Sequence, residues 1–240
     1  MNTEVALAHI RSDAARIADV VARGPLDAPV AACPGWDIRR LARHVGSVHR
    51  WAKAAALEAR RPELEPEDPS DAELADWVRE GADALTAALA SIDPDAPTWH
   101  PFPVEMVARV WPRRQAIETA LHRWDAEAAI GAVTPIDAAL ASDGVDEYFE
   151  LGLPRLVVRE AITLPAGSLH VHCTDVEGEW LVRADGSSVE LERRHAKGDA
   201  ALRGPAETLL LAMWDRAPVE ALEVVGDESV ARAWLALPGL

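Results

Sequence analysis

The chain has 240 residues, 49% of them hydrophobic and 27% charged, a composition that can bury a real core and excludes a disordered polymer. Its formal net charge of -16 repels polyanions and no local basic patch offsets it, so neither nucleic acid nor an acidic membrane surface is an expected partner. The two cysteines, Cys33 and Cys173, lie far apart, which excludes a disulfide framework and any CxxC zinc or redox motif; both read as small buried apolar residues.

From residue 4 to about 153 the pattern is helical. Thr3 is placed to cap a first helix running to about Arg23, which "GPLDAPVAACPGW" breaks. Asp37 stands at the N-cap of a second helix, "DIRRLARHVGSVHRWAKAAALEARR", ending before Pro62. After the acidic, solvated "PELEPEDPS", Asp71 starts a third helix to about Ile92, and "DPDAPTWHPFP" is a long loop. The fourth helix covers "VEMVARVWPRRQAIETALHRWDAEAAIG". An interior proline costs roughly 3 kcal/mol, so this helix either bends at Pro112 or starts near it. A shorter helix follows in "TPIDAALASDGVDEYFELGLPRL". Four long amphipathic helices of this kind predict an antiparallel bundle.

Past residue 154, "SLHVHCTDV", "GEWLVRAD" and "SSVELERR" alternate apolar with polar residues between the turns "EGE" and "ADGS", the pattern of an antiparallel meander. "GPAETLLLAMWDRA" then reads as a helix, "VEALEVVG" as a strand and "DESVARAWLAL" as a last helix. The expected class is α+β, with a helical bundle over residues 1–153 and a small mixed domain over 154–240. No stretch approaches the roughly 18 apolar residues of a membrane span, and acids and arginines occupy the N-terminus where a signal peptide places its apolar run, so a cytoplasmic protein is expected.

The fourth helix carries the chemistry. Residues four apart differ by about 40° around a helix, so Glu118 and His122 share a face, and Trp111, Arg114, Gln115 and Asp125 fall within about 60° of it. The same stripe can also be read as a solvent-facing set of salt bridges. The triplet HRW occurs twice, at His49 and at His122. On the second helix His44 and His49 lie about 140° apart and cannot share a face. Asp37, Leu41, His44, Val48 and Trp51 form one stripe, which predicts that His44 points inward and that His49 lies to the side. His44, Glu118 and His122 make a set of two histidines and one carboxylate that leaves positions open, as a catalytic divalent metal requires. Asp125 is placed to accept the second N–H of His122, with an Arg114–Asp125 surface pair as the alternative. His170 and His172 form an HxH on a strand with Asp175 as the nearest further ligand, and they read as core or surface histidines. Trp36, Trp51, Trp99 and Trp111 are candidates for a pocket mouth.

"CPGWDIRRLARHVGSVHRWA", "RRQAIETALHRWDAEAAIG", "IDAALASDGVDEYF" and "LLLAMWDR…VVGDESVARAW" resemble the mycothiol-dependent maleylpyruvate isomerase family over nearly the whole chain. The resemblance implies a DinB-like four-helix bundle followed by a sterol-carrier-like α+β domain. It also implies His44, Glu118 and His122 as metal ligands, and an arginine near the long C-terminal helix, here Arg216, that meets anionic substrate. Arg114 and Trp51 are the further expected contacts to the cofactor. The implied cofactors are a divalent ion, Zn²⁺ by expectation, and mycothiol as the thiol cosubstrate. In the family's isomerase reaction the thiolate adds to the cis double bond of maleylpyruvate, the bond rotates, and elimination gives fumarylpyruvate. The expected partners are a low-molecular-weight thiol and a small electrophile, on a monomer or small homo-oligomer, with isomerase and thiol S-transferase outcomes both open. A non-catalytic small-ligand-binding module and a thiol-independent metal-dependent hydrolase are the competing readings.

Overall fold

The computed structural model describes residues 1–160, 162–186 and 188–237. The chain is α+β and divides into two compact units, one of residues 1–100 and 105–135, the other of residues 101–104 and 136–240.

The first unit is a four-helix bundle of α1 (Thr3–Arg23), α2 (Ile38–Glu58), α3 (Leu74–Ser91) and α4 (Val110–Ala129). Asn2, not Thr3, caps α1: its side-chain oxygen accepts from the Val5 N–H at 2.8 Å. Asp37 caps α2 in the same way, accepting from Arg40 N–H at 2.8 Å, and Ala59 ends the helix in the left-handed region at φ 51°. Helix α3 begins later than expected, after Ser70 and Glu73 have closed a turn by hydrogen bonds between their own groups. Pro112 falls in the first turn of α4, where a missing N–H costs nothing. Helix α1 packs on α3 and α4, and α2 packs on the same two. The ring therefore runs α1, α3, α2, α4, and it sets α2 beside α4.

Between α1 and α2 the segment "CPGW" forms a tight turn in which Trp36 N–H donates to the Cys33 carbonyl at 2.9 Å. Gly35 sits at φ +79°, the conformation that a type II turn demands after proline. A second tie, Val30 N–H to Trp36 O at 2.9 Å, fastens this loop to itself and fixes Cys33 and Trp36 just ahead of α2.

In the second unit α5 (Ala138–Glu147), one π-helical turn (Tyr148–Gly152) and α6 (Leu153–Glu160) run on without a break. The boundary expected between residues 153 and 154 falls within this helical run. The sheet comprises β1 (Leu169–Cys173), β2 (Glu179–Asp185), β3 (Ser188–Glu192), β4 (Ala200–Gly204) and β5 (Glu223–Gly226) in the order β3-β2-β1-β4-β5. Strands β1 to β3 form the expected antiparallel meander; Ser187 of the "ADGS" turn and of the "SSVELERR" strand lies outside the described residues. Strand β4 pairs parallel to β1 and was not foreseen. Helices α7 (Ala206–Met213) and α8 (Glu228–Leu235) pack on the sheet and bury Leu169, Val171, Val182 and Leu202. Alternation along the strands leaves His170, His172 and Glu179 on the opposite face. Among the described residues no helix is long and apolar enough to cross a membrane.

Candidate metal centre

Because α2 and α4 are neighbours in the ring, His44 meets the one-turn pair on α4. Its Nε2 lies 3.1 Å from Glu118 Oε1, and Nε2 of His122 lies 3.3 Å from the same oxygen. The two imidazole centroids are 4.9 Å apart, and the three ligand atoms all fall within 4.8 Å of one another. Two nitrogens and one carboxylate oxygen converging on a common point suit a divalent ion, and three protein ligands leave coordination positions free.

The charges around this point are braced. Burial opposes ionisation of Glu118. The Arg114 guanidinium one turn earlier, which hydrogen-bonds to Oε2, and the two histidines outweigh burial and hold the carboxyl well below the usual carboxylate range. Burial likewise opposes a charged His122, and hydrogen bonds to Asp125, Cys33 and Glu118 outweigh it and push its pKa well up. Nδ1 of His122 lies 3.0 Å from Asp125 Oδ2, and Asp125 is 2% exposed. Trp36 covers both histidines, with ring centroids 4.9 Å from His44 and 6.1 Å from His122.

The family model of the mycothiol maleylpyruvate isomerase N-terminal domain matches residues 7–127, which hold the whole cluster. The chain belongs to this family. No curated protein and no solved structure gives a significant match.

Within this mycothiol maleylpyruvate isomerase family domain the predicted residues fall in distinct places. His44, Glu118, His122, Arg114 and Asp125 come together. Trp51, two turns beyond His44, packs edge-on against Trp99 and Trp111 and lines a groove of about 340 Å³ with Val48, Leu64 and Trp77. Trp36, not Trp51, is the indole on the histidines. Arg216 belongs to the second unit, just after α7, where its Nη1 donates to the Trp214 carbonyl at 2.6 Å.

The predicted facing of α2 needs correcting. His49 is fully buried and His44 keeps 33% of its side chain exposed, so the stripe of His44, Val48 and Trp51 is the rim of the buried face and not its centre. Contact with both α3 and α4 moves the centre to Leu41, Val45, His49 and Ala52. His49 is nevertheless not part of the group formed by His44, Glu118 and His122. Its Nε2 lies 2.9 Å from Thr119 Oγ1, whose hydroxyl proton goes to the Gln115 carbonyl at 2.7 Å, so the imidazole is the donor. Burial pushes the His49 pKa down to about 4, and the ring is neutral.

Sequence reasoning missed Cys33. Its Sγ is 4.0 Å from Asp125 Oδ2, and it forms a second potential ligand group with His122 and Asp125. The signal was the C-P-G-W turn directly before a helix cap, which sets Cys33 and Trp36 side by side.

Proposed function

We propose that the protein is a metal-dependent enzyme that activates mycothiol, or a similar low-molecular-weight thiol, for addition to a small electrophile. The observation that carries this reading is the convergence of His44, Glu118 and His122 with positions left free, inside a family named for a mycothiol-dependent reaction. A bound divalent ion, Zn²⁺ by its donor set, would stabilise a thiolate at neutral pH without a protein nucleophile.

The chain's own residues hold and aim. Asp125 accepts the hydrogen bond from Nδ1–H of His122 and so holds the ring with Nε2 facing Glu118 and His44, the nitrogen that would meet the ion. Arg114 holds Glu118 ionised. Trp36 closes one side of the site against water.

The test measures metal content and turnover of a cis-enoyl acid such as maleylpyruvate, with and without thiol, for wild type and His122→Ala. Activity that needs thiol and disappears with His122 supports the reading, and thiol left unconsumed separates isomerisation from S-transfer. Activity unchanged in His122→Ala, thiol-independent hydrolysis, or tight retention of the ligand without conversion would overturn it.

A further inference from the structure

The second unit holds another convergence of metal-binding side chains, built from three stretches of chain. His170 and His172 project from one face of β1, and Glu179 opposes His172 in the antiparallel register with β2. His195 arrives from the segment after β3. That segment is fastened across the start of β1: Asp199 Oδ2 accepts from Ser168 N–H at 2.7 Å and from its hydroxyl at 2.8 Å, and Asp199 N–H donates back to Ser168 Oγ at 3.0 Å. Gly198 makes the crossing possible, since a Cβ there would stand 2.9 Å from the His170 backbone nitrogen.

The four side chains meet. His172 Nδ1 lies 2.7 Å from Glu179 Oε1, His195 Nδ1 lies 2.7 Å from Oε2, and His170 Nε2 lies 3.5 Å from that second oxygen. All four ligand atoms fall within 4.8 Å of one another. One carboxylate thus serves three imidazoles and satisfies two. His170 is 5% exposed, and its Nε2, aimed at the centre of the group, makes no hydrogen bond. A hydrogen-bonded surface cluster leaves this buried nitrogen with only the 3.5 Å approach of Glu179 and no hydrogen bond, which costs stability. A cation at the centre removes the anomaly. Tetrahedral bonds of about 2.0–2.1 Å place ligand atoms roughly 3.4 Å apart; here the histidine nitrogens stand 2.7–3.5 Å from the Glu179 oxygens, and the four ligand atoms lie within 4.8 Å of one another.

We infer that His170, His172, Glu179 and His195 bind a divalent transition-metal ion of the zinc class, at a site separate from the His44 cluster. Three imidazoles and a carboxylate fill four positions, so the ion is structural: it ties the segment carrying His195 to β1 and β2 and has no position free for substrate.

The experiment strips the full-length protein with a chelator, reloads it with zinc, removes the excess and counts ions per chain by atomic emission. Variants are His195→Ala, at a side chain 80% exposed where the fold tolerates truncation, His172→Ala/His195→Ala, and His44→Ala. The double variant should hold one ion fewer than wild type with an unchanged circular dichroism spectrum, and His195→Ala alone should weaken that ion by more than the 10–100-fold of a lost outer hydrogen bond. His44→Ala should leave it in place. Equal zinc content in wild type and the double variant, or zinc lost only with His44, overturns the inference. The difference of one ion is read whether or not the first cluster binds metal, so the two assignments fail separately.

Discussion

Asp125 Oδ2 sits 3.0 Å from Nδ1 of His122, three residues along the same helix and out of solvent. A carboxylate in that place fixes which imidazole nitrogen carries the proton. Asp125→Asn keeps an acceptor but loses the charge, and Asp125→Ala loses both. Zinc affinity, titrated against a competing chelator, should fall about 10–100-fold in the alanine variant and less in the asparagine one. Equal affinities in all three proteins would remove Asp125 from the candidate metal centre.

The two cysteines should separate by reactivity. Burial pushes the Cys173 thiol up to about 11, leaving almost no thiolate at neutral pH, whereas Cys33 is half-buried. Iodoacetamide at pH 8 should label Cys33 alone in the native protein, and loading with zinc should slow that labelling because Cys33 belongs to the same group as His122. Peptide mass mapping reads both outcomes. Labelling of Cys173 at a comparable rate contradicts its burial.

The close approach of α2 and α3 depends on Gly46. A Cβ there would stand 2.2 Å from the Trp77 ring, which is held by a 2.8 Å hydrogen bond to Glu67 and by the Arg50 guanidinium 4.1 Å from its centroid. Gly46→Ala should therefore lower stability by about 1–3 kcal/mol, despite the better helix propensity of alanine. At Gly81 on the same seam the new atom would meet Arg50 Nη1, the movable end of a long side chain, and Gly81→Ala should cost less. Urea unfolding of the two variants ranks them.

The acid limb of stability is set partly by Glu127. Burial raises its pKa, but hydrogen bonds from the Thr134 hydroxyl and N–H, at 2.6 and 2.8 Å, and from Arg123 outweigh burial and leave it below its ordinary 4.5. The folded state thus binds fewer protons than the unfolded one. The stabilisation is complete above about pH 4.5 and is lost as pH falls through the lowered native value. Asp13, the other carboxylate on Arg123, is raised above 3.8 by burial and works in the opposite sense, losing stability as pH rises through its native value. Glu127→Gln should flatten the loss of stability below pH 4.5, which thermal melts across that range detect.

Much of the grouping of His44, Glu118 and His122 was legible because helix geometry is local. The spacing of Glu118 and His122, the cap at Asp37 and the alternation in "SLHVHC" each need only a few neighbouring residues to interpret. What escaped was tertiary. The depth of His49 relative to His44 follows from two neighbouring helices pressing on α2, which one helical wheel cannot show. Cys33 reaches His122 through a loop, and β4 is a five-residue strand with a parallel partner. At the HxH motif the nearest acid in sequence, Asp175, was the natural candidate. Its carboxylate instead accepts from the Ala206 N–H at 2.9 Å, and strand register puts Glu179 opposite His172.

The second HRW gains a meaning from Arg123. Its guanidinium, almost fully buried, reaches Asp13 on α1, Glu127 on its own helix, both oxygens of Thr134 and the Pro135 carbonyl. Consecutive residues on a helix point about 100° apart, so the residue next to His122 is gripped on a different flank of α4. Arg123 therefore acts as a rotational stop: α4 cannot swivel about its axis, and the imidazole cannot swing off target, without tearing several charged contacts at once. Lysine offers no planar fork to span these acceptors, and exchanging one cation for the other here would loosen the aim of a residue it never touches.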